Sequence, residues 1–151
     1  MLKKSNVSSA DISALVVVSQ TSTSRLPNSG HLIQNLLDLD EDCSIFDIND
    51  GCNGYVNGLA LLDRFLKEGQ KGLLISGDLM SKYTDNSDIS NKLLMGDAIS
   101  STLVTKSDKR CGSFVIKNDG SGANSIRLEQ KDNNLNFNMD GFKVFSFTMG
   151  K

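Results

Sequence analysis

The chain has no tryptophan, one proline, one histidine, two tyrosines and three cysteines in 151 residues. Each shortage excludes something. Three cysteines, an odd count without metal-like spacing, argue against a disulfide framework and suit a reduced, cytoplasmic protein. With His31 as the lone imidazole, the same count argues against a zinc site. The net charge is -2 and there is no Lys/Arg cluster, so the usual footprint of a nucleic-acid-binding protein is missing. The longest apolar run, Ala14 to Val18, falls far short of a bilayer span. Met1-Leu2-Lys3-Lys4-Ser5 starts like a signal peptide, but polar residues follow where a secretory apolar segment would stand.

What is present is ordinary for a globular domain: 38% hydrophobic and 23% charged residues, enough chain to bury a core. Ser13 to Ser19 is a β-branched run, the pattern of a strand covered on both faces. Pro27, Asn28 and Ser29 supply helix-start chemistry, and Leu32, Ile33, Leu36 and Leu37 follow at helical spacing. Ser44 to Ile48 reads as a second strand, ended by Gly51. From Cys52 to Lys67 apolar residues cover much of a helix, which should be largely buried, with Gly54 and Gly58 as a smooth strip and Gly69 as C-cap. Lys71 to Ser76 is a third strand. The alternation β-α-β-α-β predicts an α/β fold with a parallel core.

Ser81 to Asn91 reads as a polar loop. Beyond it, Ile99 to Thr105, Gly112 to Lys117, Ser125 to Gln130 and Asn134 to Met139 read as strands that extend or flank the sheet in antiparallel fashion. Asp119-Gly120-Ser121-Gly122 is a turn, and Asp140-Gly141 before Phe142 to Phe145 is a hairpin signal. No internal repeat or low-complexity tract occurs.

Cys52 is the candidate nucleophile. A thiol where a strand gives way to a helix is where acyl-transfer nucleophiles are found, because helix N-terminal amides favour a thiolate. Gly51 and Gly54 leave room for a substrate carbonyl beside the sulfur. A small buried hydrophobe is the competing reading of any free cysteine, and Gly51 also suits a plain turn. Cys43 and Cys111 read as packing residues within strands. His31 lies on a different helix, apparently in another layer, and so reads as a surface residue rather than a base for Cys52. Asp47, Asp50, Asp78, Asp85, Asp88 and Asp97 sit at strand ends and loops, where carboxylates are caps and turn formers more often than acid/base pairs.

The motif series is specific. Leu15-Val16-Val17-Val18, Thr21-Ser22, Pro27-Asn28-Ser29 and Leu32-Ile33-Gln34 lead into Phe46-Asp47-Ile48-Asn49-Asp50-Gly51-Cys52-Asn53-Gly54-Tyr55. Gly58-Leu59-Ala60-Leu61-Leu62-Asp63, Leu74-Ile75-Ser76-Gly77-Asp78, Ser81-Lys82-Tyr83-Thr84-Asp85 and Leu94-Met95-Gly96-Asp97-Ala98 follow in order. Together they resemble β-ketoacyl-acyl-carrier-protein synthase III, a condensing enzyme of the thiolase superfamily. Asn138 to Phe147 is similar to the hairpin closing that family's first half. The resemblance implies a thiolase-like fold, with residues 1–151 as a single incomplete domain, and a homodimer for the full-length form. It implies no cofactor, acyl-CoA and acyl-carrier protein as substrate-bearing partners, and Cys52 as the residue that accepts the acyl group. The acyl-enzyme would then condense with malonyl-carrier protein as carbon dioxide leaves. Met80, Leu93 and Met95 fall where the family lines its acyl pocket, and Leu26 where a loop reaches into the partner's pocket.

The departures matter too. The family's catalytic His and Asn are expected beyond Lys151, and its first strand and helix before Met1. Asn53 replaces a small Ser after the nucleophile, Ile89 an Arg of the coenzyme A entrance, and Ala98-Ile99-Ser100-Ser101 a Gly/Ala-rich segment. The alternatives to condensation are therefore a non-catalytic thiolase-like chain with a structural or carrier-protein-binding role, and acyl transfer to oxygen or nitrogen.

Overall fold

In the computed structural model, which describes residues 2–22, 24–85, 88–109, 112–131 and 134–149, the β-branched run forms strand β1, Ile12–Val18. Every residue of it except Ser13 is buried. A single helical turn, α1 (Leu2–Ser5), precedes it. The chain divides into two compact units, one of Met1–Asp78 with Ala98–Val115 and another of Leu79–Asp97 with Ile116–Lys151.

In the first unit β1 is flanked by β2 (Ser44–Ile48) and β3 (Lys71–Leu79), both parallel to it, with Val16 opposite Phe46 on one side and Leu74 on the other. Strand β4 (Asp97–Thr105) pairs outside β3, giving the order β2-β1-β3-β4. Lys106 bonds to Gln70 at the start of β3, while the Ser100 hydroxyl bonds to the Ser76 carbonyl near its end, so β4 runs back along β3. The parallel β-α-β-α-β core is thus as the hydrophobic pattern indicates.

A fully buried strand needs cover on both faces, because its side chains alternate. Leu15 and Val17 pack with Leu39, Cys43 and Leu73 beneath Ile33 and Leu37 of helix α2 (Ser29–Leu37). Ala14, Val16 and Val18 pack with Leu62, Leu66 and Leu74 beneath helix α3 (Gly54–Phe65). Ile12 joins the α2 face because the β1–β3 register shifts between Ile12 and Ala14. Phe65 adds an edge-on ring contact to Phe46 at 5.0 Å.

Helix α3 lies close to the sheet only because two residues lack a Cβ. A Cβ on Gly54 would come within 2.4 Å of Val18 Cγ1, and one on Gly58 within 2.6 Å of Leu74 Cδ1. Its buried face is narrower than expected: Gly54, Gly58, Ala60 and Leu62 are buried, whereas Tyr55, Val56 and Phe65 are exposed. Gly69 is not its C-cap. The helix ends at Phe65 with Leu66 already extended, and Gly69 (φ +78°) instead serves the Lys67–Gln70 turn into β3.

In the second unit a 3-10 turn, Met80–Tyr83, precedes α4 (Ile89–Leu94), so the segment expected to be a polar loop holds helical structure. Asp88 caps α4 by accepting from Asn91 N at 3.1 Å. Strands β5 (Ile126–Lys131) and β6 (Asn134–Met139) form a separate antiparallel sheet with Leu128 opposite Phe137. Two strand expectations fail. Residues 112–117 form no strand, and Phe142 to Phe147 belongs to helix α5 (Gly141–Met149) rather than to a hairpin. Asp140 starts that helix: its carboxylate accepts from Lys143 N at 3.0 Å and its carbonyl from Val144 N at 2.9 Å. Phe142, Phe145 and Met149 recur at helical spacing, which favours the helix over a strand.

Candidate active site

Strand β2 ends at Ile48, and the chain turns through Asp50, Gly51, Cys52 and Asn53 before α3 begins at Gly54. Cys52 is exposed in this turn. The sulfur is therefore on the surface of the strand-to-helix elbow, not in the core. The turn closes with Gly54 N donating to Gly51 O at 2.9 Å, and the helix continues with Asn57 N donating to Asn53 O at 3.0 Å. Asn53 is the N-cap residue but makes no side-chain capping bond. Asp50 does not cap the helix either, but its side chain braces the turn. Its Oδ1 accepts from Gly51 N at 2.9 Å and its Oδ2 from Asn57 Nδ2 at 2.6 Å. Gly51 permits a close approach on the other side, since a Cβ there would sit 2.5 Å from Gln20 Oε1.

The loop that carries Gln20 is itself held. Asp78 Oδ1, at the end of β3, accepts from the backbone N–H of Gln20 and Thr21 at 2.7 and 2.9 Å. It also accepts from the Ser19 and Thr21 hydroxyls at 3.0 and 2.9 Å. One carboxylate oxygen thus ties the C-terminal ends of two parallel strands together, the end at which open α/β sheets present their ligands.

The remaining expectations divide. His31 belongs to α2, on the sheet face opposite α3, and its Nδ1 faces Asn28 Oδ1, so it has no place beside Cys52. Cys43 is buried just before β2, and burial, with the Asp40 charge, pushes its thiol pKa up. It is a packing residue. Cys111 lies outside the described residues. A cavity of about 840 Å³ lies on the α2 side, lined by Leu2, Val7, Leu36, Leu37 and Ile75 among others, and Cys52 is not in its wall. No group of three or more His, Cys, Asp or Glu among the described residues could hold a metal ion. No helix among them is long and apolar enough to cross a membrane.

Leu26 is 94% exposed in the first unit, in a tight turn bracketed by a bridge between Arg25 and Asn28. Met80, Leu93 and Met95 belong to the second unit. Met80 opens the 3-10 turn and is half-buried, as is Met95 just past α4, while Leu93 is 83% exposed on α4 itself. Asp97 joins the two methionine segments: its carboxylate accepts from Ser81 N at 2.9 Å and from Ser81 Oγ at 2.5 Å. Those two bonds, helped by the charge of Lys82, hold the Asp97 carboxyl below the usual carboxylate range. Most of the aspartates act as caps and ties, as their positions at strand ends suggest. The specific pairing of Asp50 with Asn57 was not visible, because it depends on where α3 begins.

The chain is similar to known proteins in sequence and in fold. The family model for 3-oxoacyl-[acyl-carrier-protein] synthase III matches residues 46–120, a stretch that includes the Cys52 turn, α3, β3 and β4. The β-ketoacyl-[acyl-carrier-protein] synthase III of Serratia proteamaculans is 31% identical over 134 residues, covering 87% of this chain and 42% of that protein. That of Streptococcus gordonii is 27% identical over 99% of this chain and 50% of its own length. A solved 3-oxoacyl-(acyl-carrier protein) synthase from Burkholderia xenovorans superposes with a TM-score of 0.81 at 30% identity, over 98% of this chain and 48% of the other. The chain thus spans about half the length of the relatives it matches. On the matched family segment, the sequence identity and the superposition, the chain belongs to the 3-oxoacyl-acyl-carrier-protein synthase III family of the thiolase superfamily.

Proposed function

We propose that this chain carries the acyl-accepting part of a decarboxylative condensing acyltransferase of fatty-acid type. The observation that supports this most directly is the exposed Cys52 thiol at the β2–α3 elbow, within the matched family segment. The Cys52 thiolate attacks the carbonyl carbon of an acyl thioester from coenzyme A. The coenzyme A thiolate leaves, and the acyl group becomes a Cys52 thioester. The Cys52 backbone N–H stabilises the oxygen that turns negative in between. Malonyl-carrier protein then loses carbon dioxide, its carbanion attacks the acyl carbonyl, and the Cys52 sulfur is released as the new carbon–carbon bond forms. Met80, Leu93 and Met95 are the proposed acyl-chain contacts, and Leu26 the proposed contribution to a partner's pocket in a homodimer.

Condensation also needs donors for the developing enolate and carbonyl charge. The single histidine of the chain sits on the α2 face, away from α3. On its own, therefore, the chain should accept acyl groups without condensing them. Intact-mass measurement after incubation with an acyl-CoA tests the reading. Wild type should gain one acyl mass and Cys52→Ala none, and an equal gain in both proteins would overturn it.

A further inference from the structure

The Asp50 side chain meets the cysteine turn and the first turn of α3 at three places, two through its carboxylate and one through its Cβ. It accepts from Gly51 N immediately before Cys52, and from Asn57 Nδ2 one turn into α3. Its Cβ packs against Gly54, where an added Cβ would meet it at 3.2 Å. Gly51, Gly54 and Asn57 bracket Cys52 from both sides. Asn53, which would ordinarily fix the helix start through its own side chain, makes no such bond. The turn is thus fixed by a side chain from the strand side reaching across it to the helix. On the opposite side the Gln20 side chain closes in on Gly51.

We propose that the Asp50–Asn57 pair is the positioning brace of the nucleophile, resting on the reading of Cys52 as acyl acceptor. Attack on a thioester requires the sulfur and the Cys52 N–H to face one substrate carbonyl together, and that alignment is lost when the turn can rotate. Neither residue touches substrate. Their contribution is the fixed angle between the last turn residues and the first turn of α3.

The test uses the full chain with three variants: Asn57→Ala, Asp50→Ala, and the exchanged pair Asp50→Asn/Asn57→Asp. In the exchanged pair the residue-50 amide oxygen still accepts from Gly51 N, and its NH2 donates to the new carboxylate. Backbone hydrogen exchange of residues 51–54 and the rate of Cys52 acylation by an acyl-CoA are both measured. The brace predicts exchange faster by about tenfold or more in each single variant, with acylation slowed by a similar factor. The exchanged pair should return both to within about threefold of wild type. Unchanged exchange in Asn57→Ala overturns the brace. Faster exchange with unchanged acylation overturns the positioning role, and so does an exchanged pair that fails to restore acylation while its exchange is restored. If wild type is not acylated at all, the acyl-acceptor reading fails, and the positioning role falls with it, whereas the mechanical brace is still judged by the exchange data.

Discussion

At the scale of single residues, the carboxylates have been placed as ties rather than as acids or bases. Asp97, like Asp140 and Glu129, is held by hydrogen bonds that lower its pKa. Hydrogen bonds from the Ser81 hydroxyl and amide lower its pKa in the folded chain. A depressed folded-state pKa stabilises the fold fully above the ordinary aspartate pKa of about 3.9, and that stabilisation is lost as pH falls below it. Asp97→Asn, which keeps an acceptor but cannot gain the charge, should therefore show a weaker loss of stability between about pH 5 and pH 2 than wild type. Chemical denaturation repeated across that range would show it, and parallel pH profiles would count against the tie. Cys52 was legible as a residue because strand, glycine and helix signals converge on it. The Asp50–Asn57 pair was not: a seven-residue spacing carries no meaning until the helix is known to begin at Gly54.

At the scale of elements, the first three strands and the two helices between them could be read directly. A continuous β-branched run and a leucine pattern at helical spacing each admit one structure when both faces of the sheet need cover. The strip of Gly54 and Gly58 on α3 was legible for the same reason, and the structure gives it a consequence. Gly58→Ala would drive a methyl group to 2.6 Å from Leu74 Cδ1, on a side chain with no exposed surface. We expect a loss of about 1–3 kcal/mol in urea unfolding. Gly120→Ala, whose added Cβ meets nothing within 4 Å, should stay near wild type. Equal stability of both variants would contradict the close helix–sheet packing. The later elements resisted reading because local signals were shared. Asp140-Gly141 suits a hairpin turn and a helix start equally well, and the backbone bonds from Lys143 and Val144 decide for the helix. Residues 112–117 have strand-like composition, but no neighbouring strand pairs with them, and Val115 is 80% exposed. A β pattern without a partner ladder is not a strand.

At the scale of the whole molecule, large apolar side chains remain open to water in both units. Leu26, Leu36 and Val115 in the first, and Leu93, Phe142 and Met149 in the second, are each more than 70% exposed. Where such side chains adjoin in one patch they drive association. Sedimentation of the chain by itself should show concentration-dependent self-association, and a monodisperse monomer across a wide concentration range would argue against it. Family membership is carried by the matched segment and the superposed fold, whereas the proposed chemistry turns on one sulfur atom. The most direct measurement is therefore to incubate the chain with an isotopically labelled acyl-CoA, digest it, and locate the label by mass spectrometry. A single labelled acyl group is expected on the peptide containing Cys52, with none on the peptides of Cys43 and Cys111. Label absent from Cys52, or spread equally over the three cysteines, would contradict it.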